Sequence, residues 1–243
     1  MHVSGNVKDS YSSQYDDASV AWRNTGAKYK AVNIVELAKN ISFKNVLEVG
    51  AGEGSILKWL SEWGFCPDLN CVEISESGID LIKSKNIKSL HDILLFDGYK
   101  IPYSDNHFDL VICSHVLEHV EHERLLLREI KRVSKHQIFE VPIDFSFYVD
   151  KKLKHFLSYG HINIYTPALF RFLLLSENFK VEKDICHLYH DDVIKQMFKN
   201  RKSAYYFMKL KQQVLRMFPY FLGIKPHSYA VLTSKSEKEL SIF

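Results

Sequence analysis

A glycine-rich segment near residue 50 has the composition and spacing of a loop that cradles a ligand. Residues 48–54 (EVGAGEG) join a short apolar run to the start of a helical pattern. Glycine lets the backbone approach a bound molecule closely, and the N–H groups at the following helix start are free to bind it. The G-x-G-x-G spacing differs from that of dinucleotide-binding loops, and the Lys-Ser/Thr of a P-loop is missing. A tight turn from strand to helix is the alternative interpretation.

A carboxylate follows this segment at a distance that suits a nucleotide-like ligand. Glu73 closes the second apolar run, roughly 20 residues beyond the loop, where it could accept two hydrogen bonds from a ribose diol. A surface glutamate at a strand end is the alternative interpretation. The loop and the carboxylate together predict a ligand site more strongly than either feature alone.

Residues 115–119 read His-Val-Leu-Glu-His, and this H-x-x-E-H spacing matches one pattern of zinc peptidases. On a helix, two histidines four residues apart lie on one face, where they could bind zinc. We set this interpretation aside because zinc peptidases place the motif on a long helix with a distant third ligand, whereas here it directly follows an apolar strand. Glu118 and His119 are therefore expected to hold the loop by hydrogen bonds, and no metal ligand is assigned.

The scaffold for these residues is predicted by the apolar periodicity of the chain. Short apolar runs alternate with helical patterns of about ten residues, which is typical of βαβ units and a parallel sheet. In such sheets, ligands bind at the carboxyl ends of the strands. We predict strands at 44–50, 69–74, 89–96, 107–114, 137–141, 179–185 and 228–233. We predict helices at 18–40, 55–63, 78–84, 125–133 and 166–177, with one or two more across 191–218.

Charge is unevenly distributed along the 243 residues, although the net charge is only +3. Between Val193 and Ser236 there are nine lysines and arginines and no Asp or Glu, so the remainder of the chain is mildly acidic. A basic segment with interleaved apolar residues suits an anionic acceptor, a membrane interface or RNA. An extra helix with a solvated basic face is the plain alternative.

Composition restricts the class of protein. Hydrophobic residues make up 46% and charged residues 25%, which excludes a disordered or low-complexity chain. The four cysteines form no C-x-x-C pair, so we expect the reduced thiols of a cytoplasmic protein. The first 17 residues are polar and show no secretory signal, and no apolar run reaches the roughly 18 residues of a membrane-spanning helix.

Five segments together resemble the motifs of class I S-adenosylmethionine-dependent methyltransferases, and of the type 11 small-molecule members in particular. They are 46–54 (VLEVGAGEG), 72–75 (VEIS), 96–111 (FDGYKIPYSDNHFDLV), 114–120 (SHVLEHV) and 160–167 (GHINIYTP). The resemblance covers roughly residues 42–182. It implies a Rossmann-like α/β fold with a mostly parallel seven-stranded sheet flanked by helices. It also implies S-adenosyl-L-methionine as the cofactor.

The resemblance implies roles for individual residues around that cofactor. The residues concerned are Glu48, Gly50, Gly52, Gly54, Glu73, Ile74, Asp97, Asp92, Ser114 and His115. The glycines and Glu48 would shape the loop around the amino-acid end of the cofactor. Glu73 would hold the ribose and Ile74 would pack on adenine, while Ser114 and His115 would line the methionine side. An Asp after the third strand usually receives the adenine amino group, and Asp97 fits this better than Asp92 because it lies five residues before Pro102.

The sequence departs from the family pattern in two places. Lys135-His136-Gln137 stands where the family often has a glycine pair before the fifth strand. About 40 residues separate the last two strands where a short hairpin is typical, and this basic insertion spans about 187–226. The chain then divides into an N-terminal arm and helix at 1–40 and a methyltransferase domain at 41–243. We expect the insertion and residues 142–165 to form the acceptor site.

Methyl transfer from a sulfonium is an in-line displacement, which needs alignment and the exclusion of water. A hydroxyl or ammonium acceptor also needs a base, and the candidates are His161, His115 and His155, with Tyr159 on the same loop as His161. His161 is preferred because it follows the fifth strand. We expect the acceptor to be a small molecule, sugar or glycan-lipid precursor that is methylated at oxygen or nitrogen. We expect no DNA partner, and a peripheral membrane contact is compatible with the basic insertion. The alternatives are a catalytically silent cofactor-binding module and an RNA methyltransferase.

Overall fold

The computed structural model describes residues 20–144, 154, 156, 160–218 and 226–237, and these form seven strands and seven α-helices. The strands are β1 (Asn45–Val49), β2 (Asp68–Glu73), β3 (Leu90–Leu95), β4 (Phe108–Ser114), β5 (Ser134–Pro142), β6 (Phe179–His187) and β7 (Ser228–Lys235). The helices are α1 (Val20–Leu37), α2 (Ser55–Glu62), α3 (Glu76–Ser84), α4 (Glu123–Val133), α5 (Pro167–Ser176), α6 (Asp191–Met197) and α7 (Lys202–Met217). The expected N-terminal arm, His155 and Tyr159 lie outside the described residues.

The strands form one sheet in the order β3-β2-β1-β4-β5-β7-β6. Strands β1 to β5 pair in parallel, whereas β7 runs antiparallel to both β5 and β6. The strand order reverses between β1 and β4, so the carboxyl ends of these two strands flank the position where open α/β sheets bind ligands. The expected mostly parallel, seven-stranded α/β sheet with flanking helices is confirmed.

Both faces of the central strands are buried, which explains why their sequences are continuous apolar runs rather than alternating ones. In β1, Leu47 belongs to the core that packs beneath α4 and α5, whereas Val46 belongs to the core beneath α1 and α2. The two cores therefore hold β1 in place from both faces, so the glycine-rich loop that follows β1 starts from a well-packed strand end.

The sequence Lys135-His136-Gln137 lies inside a strand rather than in a turn. Helix α4 ends at Val133 and β5 begins at the next residue, Ser134, which has extended backbone angles. The Ser134 hydroxyl donates to the Ile130 carbonyl (2.6 Å) and accepts from the Gln137 amide (3.0 Å). These bonds support a direct change from helix to strand without glycine. Strand β5 therefore begins three residues earlier than the predicted 137–141.

The insertion between β6 and β7 contains α6 and α7, in agreement with the predicted one or two helices. Helix α6 packs against α1, because the Tyr29 ring stacks on His190 (3.7 Å between centroids) and its hydroxyl donates to Asp192 Oδ2 (2.7 Å). Helix α7 is attached to the start of α6 through Asp191, which binds Lys209 Nζ at 2.7 Å. None of the described helices combines the length and apolar character needed to cross a membrane.

Candidate functional site

A cavity of about 1080 Å³ lies at the carboxyl edge of the parallel strands, between the sheet and helices α1 and α6. Its size is close to the upper end of the roughly 300–1,000 Å³ typical of small-molecule sites. Seven of the ten expected cofactor-binding residues line it, namely Glu48, Gly50, Gly52, Glu73, Ile74, Ser114 and His115. The cavity also contains residues of both segments expected to form the acceptor site, 142–165 and 187–226.

The glycine-rich loop adopts a backbone that other residues rarely take. Gly50, Gly52 and Gly54 have φ values of 70°, 57° and 74°. A Cβ atom on Gly50 would lie only 2.6 Å from Cγ2 of Val116, so glycine lets the loop pack against the segment that follows β4. Gly54 is the N-cap of α2 and faces Ile82, and it does not line the cavity. It shapes the helix start rather than touching the cavity.

Glu73 connects the end of β2 to the glycine-rich loop. The residue is only 3% exposed, and its Oε2 accepts a hydrogen bond from Gly52 N at 2.7 Å. Its Oε1 accepts from the backbone N–H groups of Ile74 (2.9 Å) and Ser75 (3.1 Å). Burial raises the pKa of Glu73, although the three backbone donors oppose the rise. A carboxylate has about four acceptor positions, so these bonds leave capacity for a ligand hydroxyl.

Glu48 is a buried carboxyl group in the cavity wall. Burial raises the pKa of Glu48 to about 8, with Glu73 adding to the rise and the Lys30 ammonium opposing it. Lys30 reaches the cavity from α1, where burial lowers the pKa of its ammonium group. Oε2 of Glu48 has no hydrogen-bond partner among the described residues. The carboxyl group is therefore mostly protonated at neutral pH, and a cationic ligand beside it would favour loss of its proton.

The two aspartates considered for an adenine amino group lie in different places. Asp97 follows β3 between two lining residues, Phe96 and Gly98, and its Oδ1 accepts from the backbone of Tyr99 (2.9 Å) and Lys100 (2.7 Å). Asp92 lies within β3, exposed, and accepts from the Tyr103 hydroxyl at 3.1 Å. The structure thus places Asp97 beside the cavity and Asp92 away from it. Strand β3 continues to Leu95, so Asp92 lies within the strand and only Asp97 lies beyond its carboxyl end.

His115 lies between two buried carboxylates. Its Nδ1 is 3.5 Å from Oε1 of Glu118, and its Nε2 is 3.7 Å from Oε1 of Glu140. The backbone of His115 has φ 55°, which is uncommon for a residue with a side chain and turns the imidazole toward the cavity lining. Burial alone would raise the pKa of Glu140, but His115, Lys30 and Ser228 outweigh it and lower that pKa to about 2.

His161 forms a second imidazole–carboxylate pair in the same cavity. Its Nδ1 is 2.6 Å from Oδ2 of Asp144, and both residues line the cavity. Burial opposes protonation of the imidazole, but Asp144 and the more distant Glu118 raise the pKa of His161. The ring of His119 packs edge-on against that of His161, with centroids 4.8 Å apart. The structure therefore brings two of the three histidines considered for proton transfer, His115 and His161, into one cavity, and His155 lies outside the described residues.

Several polar residues of this site were not predicted from the sequence, among them Lys30, Asn33, Glu140 and Asp144. Asn33 and Lys30 come from α1, which precedes the motifs, and Asn33 Nδ2 donates to Glu140 Oε1 at 3.0 Å. Two signals could have revealed the acidic residues. Glu140 interrupts an otherwise apolar run, and Asp144 follows the end of β5 by two residues, at the edge where ligands bind.

Residues 47–137 match the sequence model of a protein family described as "Methyltransferase domain". The chain is 28% identical to YrhH of Bacillus subtilis (strain 168) over 135 residues, which are 53% of this chain and 71% of that protein. It is 33% identical to the ubiquinone/menaquinone biosynthesis C-methyltransferase UbiE of Burkholderia cenocepacia (strain HI2424) over 112 residues. That match spans 44% of this chain and less than half, 45%, of UbiE.

The fold is similar to that of a solved S-adenosylmethionine-dependent methyltransferase from Aquifex aeolicus. The TM-score is 0.56 at 14% sequence identity, and the likeness covers 90% of this chain and 98% of that one. At this identity the likeness concerns the fold alone. Together with the strand order and the glycine-rich loop, it shows that this chain has the class I methyltransferase fold, within which residues 47–137 match the methyltransferase domain family.

Proposed function

We propose that the glycine-rich half of the cavity binds S-adenosylmethionine. Glu73 accepts a ribose hydroxyl, the loop at 50–53 surrounds the amino-acid end, and Ile74 and Asp97 contact the adenine. Two observations support this assignment. Glu73 is buried yet retains acceptor capacity at the cavity wall, and the cationic cofactor would supply the partner that Glu48 Oε2 lacks among the described residues.

We propose that the histidine-rich half of the cavity binds a small or lipid-linked acceptor and directs methyl transfer to its oxygen or nitrogen. A lone pair of the acceptor attacks the methyl carbon, the bond from carbon to sulfur breaks, and S-adenosylhomocysteine leaves. The cofactor supplies the electrophilic methyl group. The acceptor's proton passes to an imidazole, and we assign this role to His161 and His115.

The observation that carries this proposal is the placement of two imidazole–carboxylate pairs in the cavity that also contains the glycine-rich loop. His161 is polarised by Asp144 at 2.6 Å, and His115 lies between Glu118 and Glu140. A silent cofactor-binding module has no need of such pairs. The basic insertion also fits RNA poorly, because Asp191 binds both Lys195 (2.9 Å) and Lys209 (2.7 Å).

The direct test is incubation of the full chain with methyl-labelled S-adenosylmethionine and fractions of a metabolite and lipid extract. We expect the label in one product of the aqueous or lipid fraction, and nuclear magnetic resonance then identifies the methylated atom. A chain that binds the cofactor tightly but labels nothing in either fraction would support the silent module instead. Label confined to an RNA fraction would support the RNA methyltransferase.

Cofactor binding is expected to release protons near neutral pH, because Glu48 is mostly protonated in the empty cavity and S-adenosylmethionine brings positive charge beside it. Occupation lowers the pKa of Glu48 from about 8. Release should therefore be largest below pH 8 and fade above it. Calorimetry of binding at pH 7 in buffers of different ionisation enthalpy measures the protons released.

Two controls separate this effect from other titrations. The Glu48→Gln variant has no ionisable carboxyl and should show little buffer dependence. The demethylated product, S-adenosylhomocysteine, lacks the sulfonium charge and should release fewer protons than the cofactor. Equal proton release by wild type and Glu48→Gln would exclude Glu48 as the source.

We propose that the outer face of α7 contacts an anionic membrane surface. Its inner face is attached to α6 through Tyr205 and Lys209, and to the segment before α6 through Gln212, which donates to the Tyr189 carbonyl. The outer face exposes large apolar side chains, among them Phe207 (70% exposed) and Met217 (72%). The exposed apolar residues of this face are Tyr206, Phe207, Leu210, Val214, Met217 and Phe218, and exposed basic neighbours are Lys202, Lys211 and Arg216.

This combination of apolar and basic side chains is typical of helices that lie in a membrane interface. Helix α6 carries both the attachment of α7 and two residues of the cavity lining, Val193 and Met197. A lipid surface on α7 would therefore lie near the acceptor end of the cavity. The arrangement supports a lipid-linked acceptor within the expected class.

Charge reversal on α7 is expected to weaken binding to anionic vesicles. A basic side chain near such a surface contributes about 1 kcal/mol, so Lys202→Glu with Lys211→Glu should reduce partitioning by about tenfold or more. Co-sedimentation with phosphatidylcholine vesicles, with and without phosphatidylglycerol, measures the effect. Phe207→Ser should weaken binding to anionic vesicles, whereas Phe172→Ser, an equally exposed position on α5, should not. Wild type that fails to sediment with anionic vesicles would refute the proposal.

A further inference from the structure

Glu118 is a buried carboxylate that receives no hydrogen bond from the part of the chain that the structure describes. It is completely buried, and neither carboxylate oxygen has a hydrogen-bond partner among the described residues. Its side-chain neighbours are imidazoles at longer range, His115 Nδ1 at 3.5 Å and His119 Nε2 at 3.8 Å from Oε1. A carboxylate in such a place is costly unless a proton donor or a cation compensates it.

The tautomers of His119 and His161 are fixed by groups that accept hydrogen bonds. His119 Nδ1 lies 3.0 Å from the carbonyl oxygen of Gly160, which can only accept, so this nitrogen carries a proton. His161 Nδ1 lies 2.6 Å from the Asp144 carboxylate and donates to it in the same way. In each ring, Nε2 is then the atom suited to a ligand.

Metal-binding histidines usually have this arrangement, because a carbonyl or carboxylate on one ring nitrogen orients the other toward the metal. One ligand atom each from Glu118, His119 and His161 lie within 4.8 Å of one another. Ligand atoms bound to one ion at about 2.0–2.2 Å lie at most about 4.4 Å apart, so the three side chains would close by several tenths of an ångström on binding.

We propose that Glu118, His119 and His161 bind a divalent transition-metal cation in the acceptor half of the cavity. Two imidazoles and one carboxylate favour zinc, cobalt, manganese or iron(II) over magnesium or calcium, which prefer oxygen ligands only. No metal ligand was predicted from the sequence, because the spacing of His115 and His119 was compared only with a zinc motif that needs a long helix. The chain instead forms only a 3₁₀ turn at Leu117–His119, and His161 approaches from a distant loop.

The role of the cation rests on the proposed function. Three protein ligands leave coordination positions open, and all three residues line the cavity. An acceptor that offers a hydroxyl, or two adjacent oxygens, could occupy those positions. A bound cation lowers the pKa of a coordinated hydroxyl. With His161 holding the cation, His115 takes the proton, and the acceptor oxygen attacks the methyl carbon of the cofactor. The acceptor class is therefore an oxygen nucleophile that can coordinate a metal.

The site is tested on the full chain by removing metals with a chelator, dialysing and titrating with cobalt(II), followed by visible absorption. We expect one cobalt ion per chain, with absorption bands typical of nitrogen and oxygen ligands, and displacement by zinc. Glu118→Gln, His119→Asn and His161→Asn should each weaken cobalt binding by about tenfold or more. His91→Asn, a histidine on β3 whose side chain is 61% exposed, should leave it unchanged.

Calorimetry with S-adenosylmethionine shows whether each variant is folded. If Glu118→Gln does not fold, the partly exposed His161 provides the deciding variant. Wild type that binds no cobalt, or ligand variants that bind it as tightly as His91→Asn does, would overturn the metal site. Those results do not depend on methyl transfer. A failure of the proposed function would appear separately, as absence of any methylated product.

Discussion

Substitution of Glu73 by alanine is expected to reduce the affinity for S-adenosylmethionine by about tenfold or more. A charge-assisted hydrogen bond to the ribose is lost, which contributes about 1.5–3 kcal/mol. The substitution also leaves the backbone N–H groups of Gly52, Ile74 and Ser75 without their acceptor. The glycine-rich loop should therefore lose order, and the melting temperature of the cofactor-free protein should fall.

Isothermal calorimetry measures the affinity for S-adenosylmethionine. Two further variants show whether a loss of affinity comes from the Glu73 carboxylate itself. Glu73→Gln keeps one acceptor oxygen and the side-chain volume, so it should bind more tightly than Glu73→Ala but less tightly than wild type. Glu76→Ala changes an exposed glutamate three residues away and should bind as wild type does. Wild-type affinity in Glu73→Ala would remove this residue from the cofactor site.

Substitution of His161 by alanine is expected to lower kcat by about a hundredfold or more, which is the usual range when proton transfer or metal binding is lost. The affinity for S-adenosylmethionine should change little, because His161 lies in the acceptor half of the cavity. Asp144→Asn keeps the imidazole but weakens its polarisation, so we expect a smaller loss of kcat. Once an acceptor is known, steady-state kinetics and cofactor calorimetry measure the two quantities.

His91→Ala serves as the matched control for general effects of histidine removal, since this residue lies on the edge strand β3. It should retain wild-type kcat. If His161→Ala also retained wild-type kcat, neither proton transfer nor metal binding at this position could be part of the reaction.

Local sequence patterns were sufficient to predict the scaffold and most of the residues that line the glycine-rich half of the cavity. The glycine-rich loop and Glu73 follow adjacent strands, and both the alternation of elements and the strand ends can be deduced from short windows of sequence. The N-cap role of Thr166 is equally local, since its hydroxyl accepts from Leu169 N at 3.1 Å, within the helix start.

The histidine-rich half depends on contacts between residues far apart in sequence, and these contacts cannot be deduced from short windows of sequence. Asn33 binds Glu140 across 107 positions, and Tyr29 binds Asp192 across 163. The H-x-x-E-H segment shows the same limit, because the conformation that follows β4 decides which neighbour each histidine meets. In α7 the sequence shows apolar and basic residues interleaved. Only the bonds of Tyr205 to Asp191 in α6 and of Gln212 to the Tyr189 carbonyl reveal which apolar face remains exposed.

The two halves of α1 are held by different forces, and this difference bears on how ligands enter and leave. The later half is anchored in the core by Ala31, Ile34 and Leu37, which are completely or almost completely buried. The earlier half is held largely by polar contacts, such as Arg23 to Glu53 (3.1 Å) and Trp59 Nε1 to Asn24 Oδ1 (3.2 Å). Contacts of this kind cost less to break than a packed core. We therefore expect the first turns of α1 to open as a local unit while the sheet stays intact, which would give ligands a route into the cavity without movement of domains.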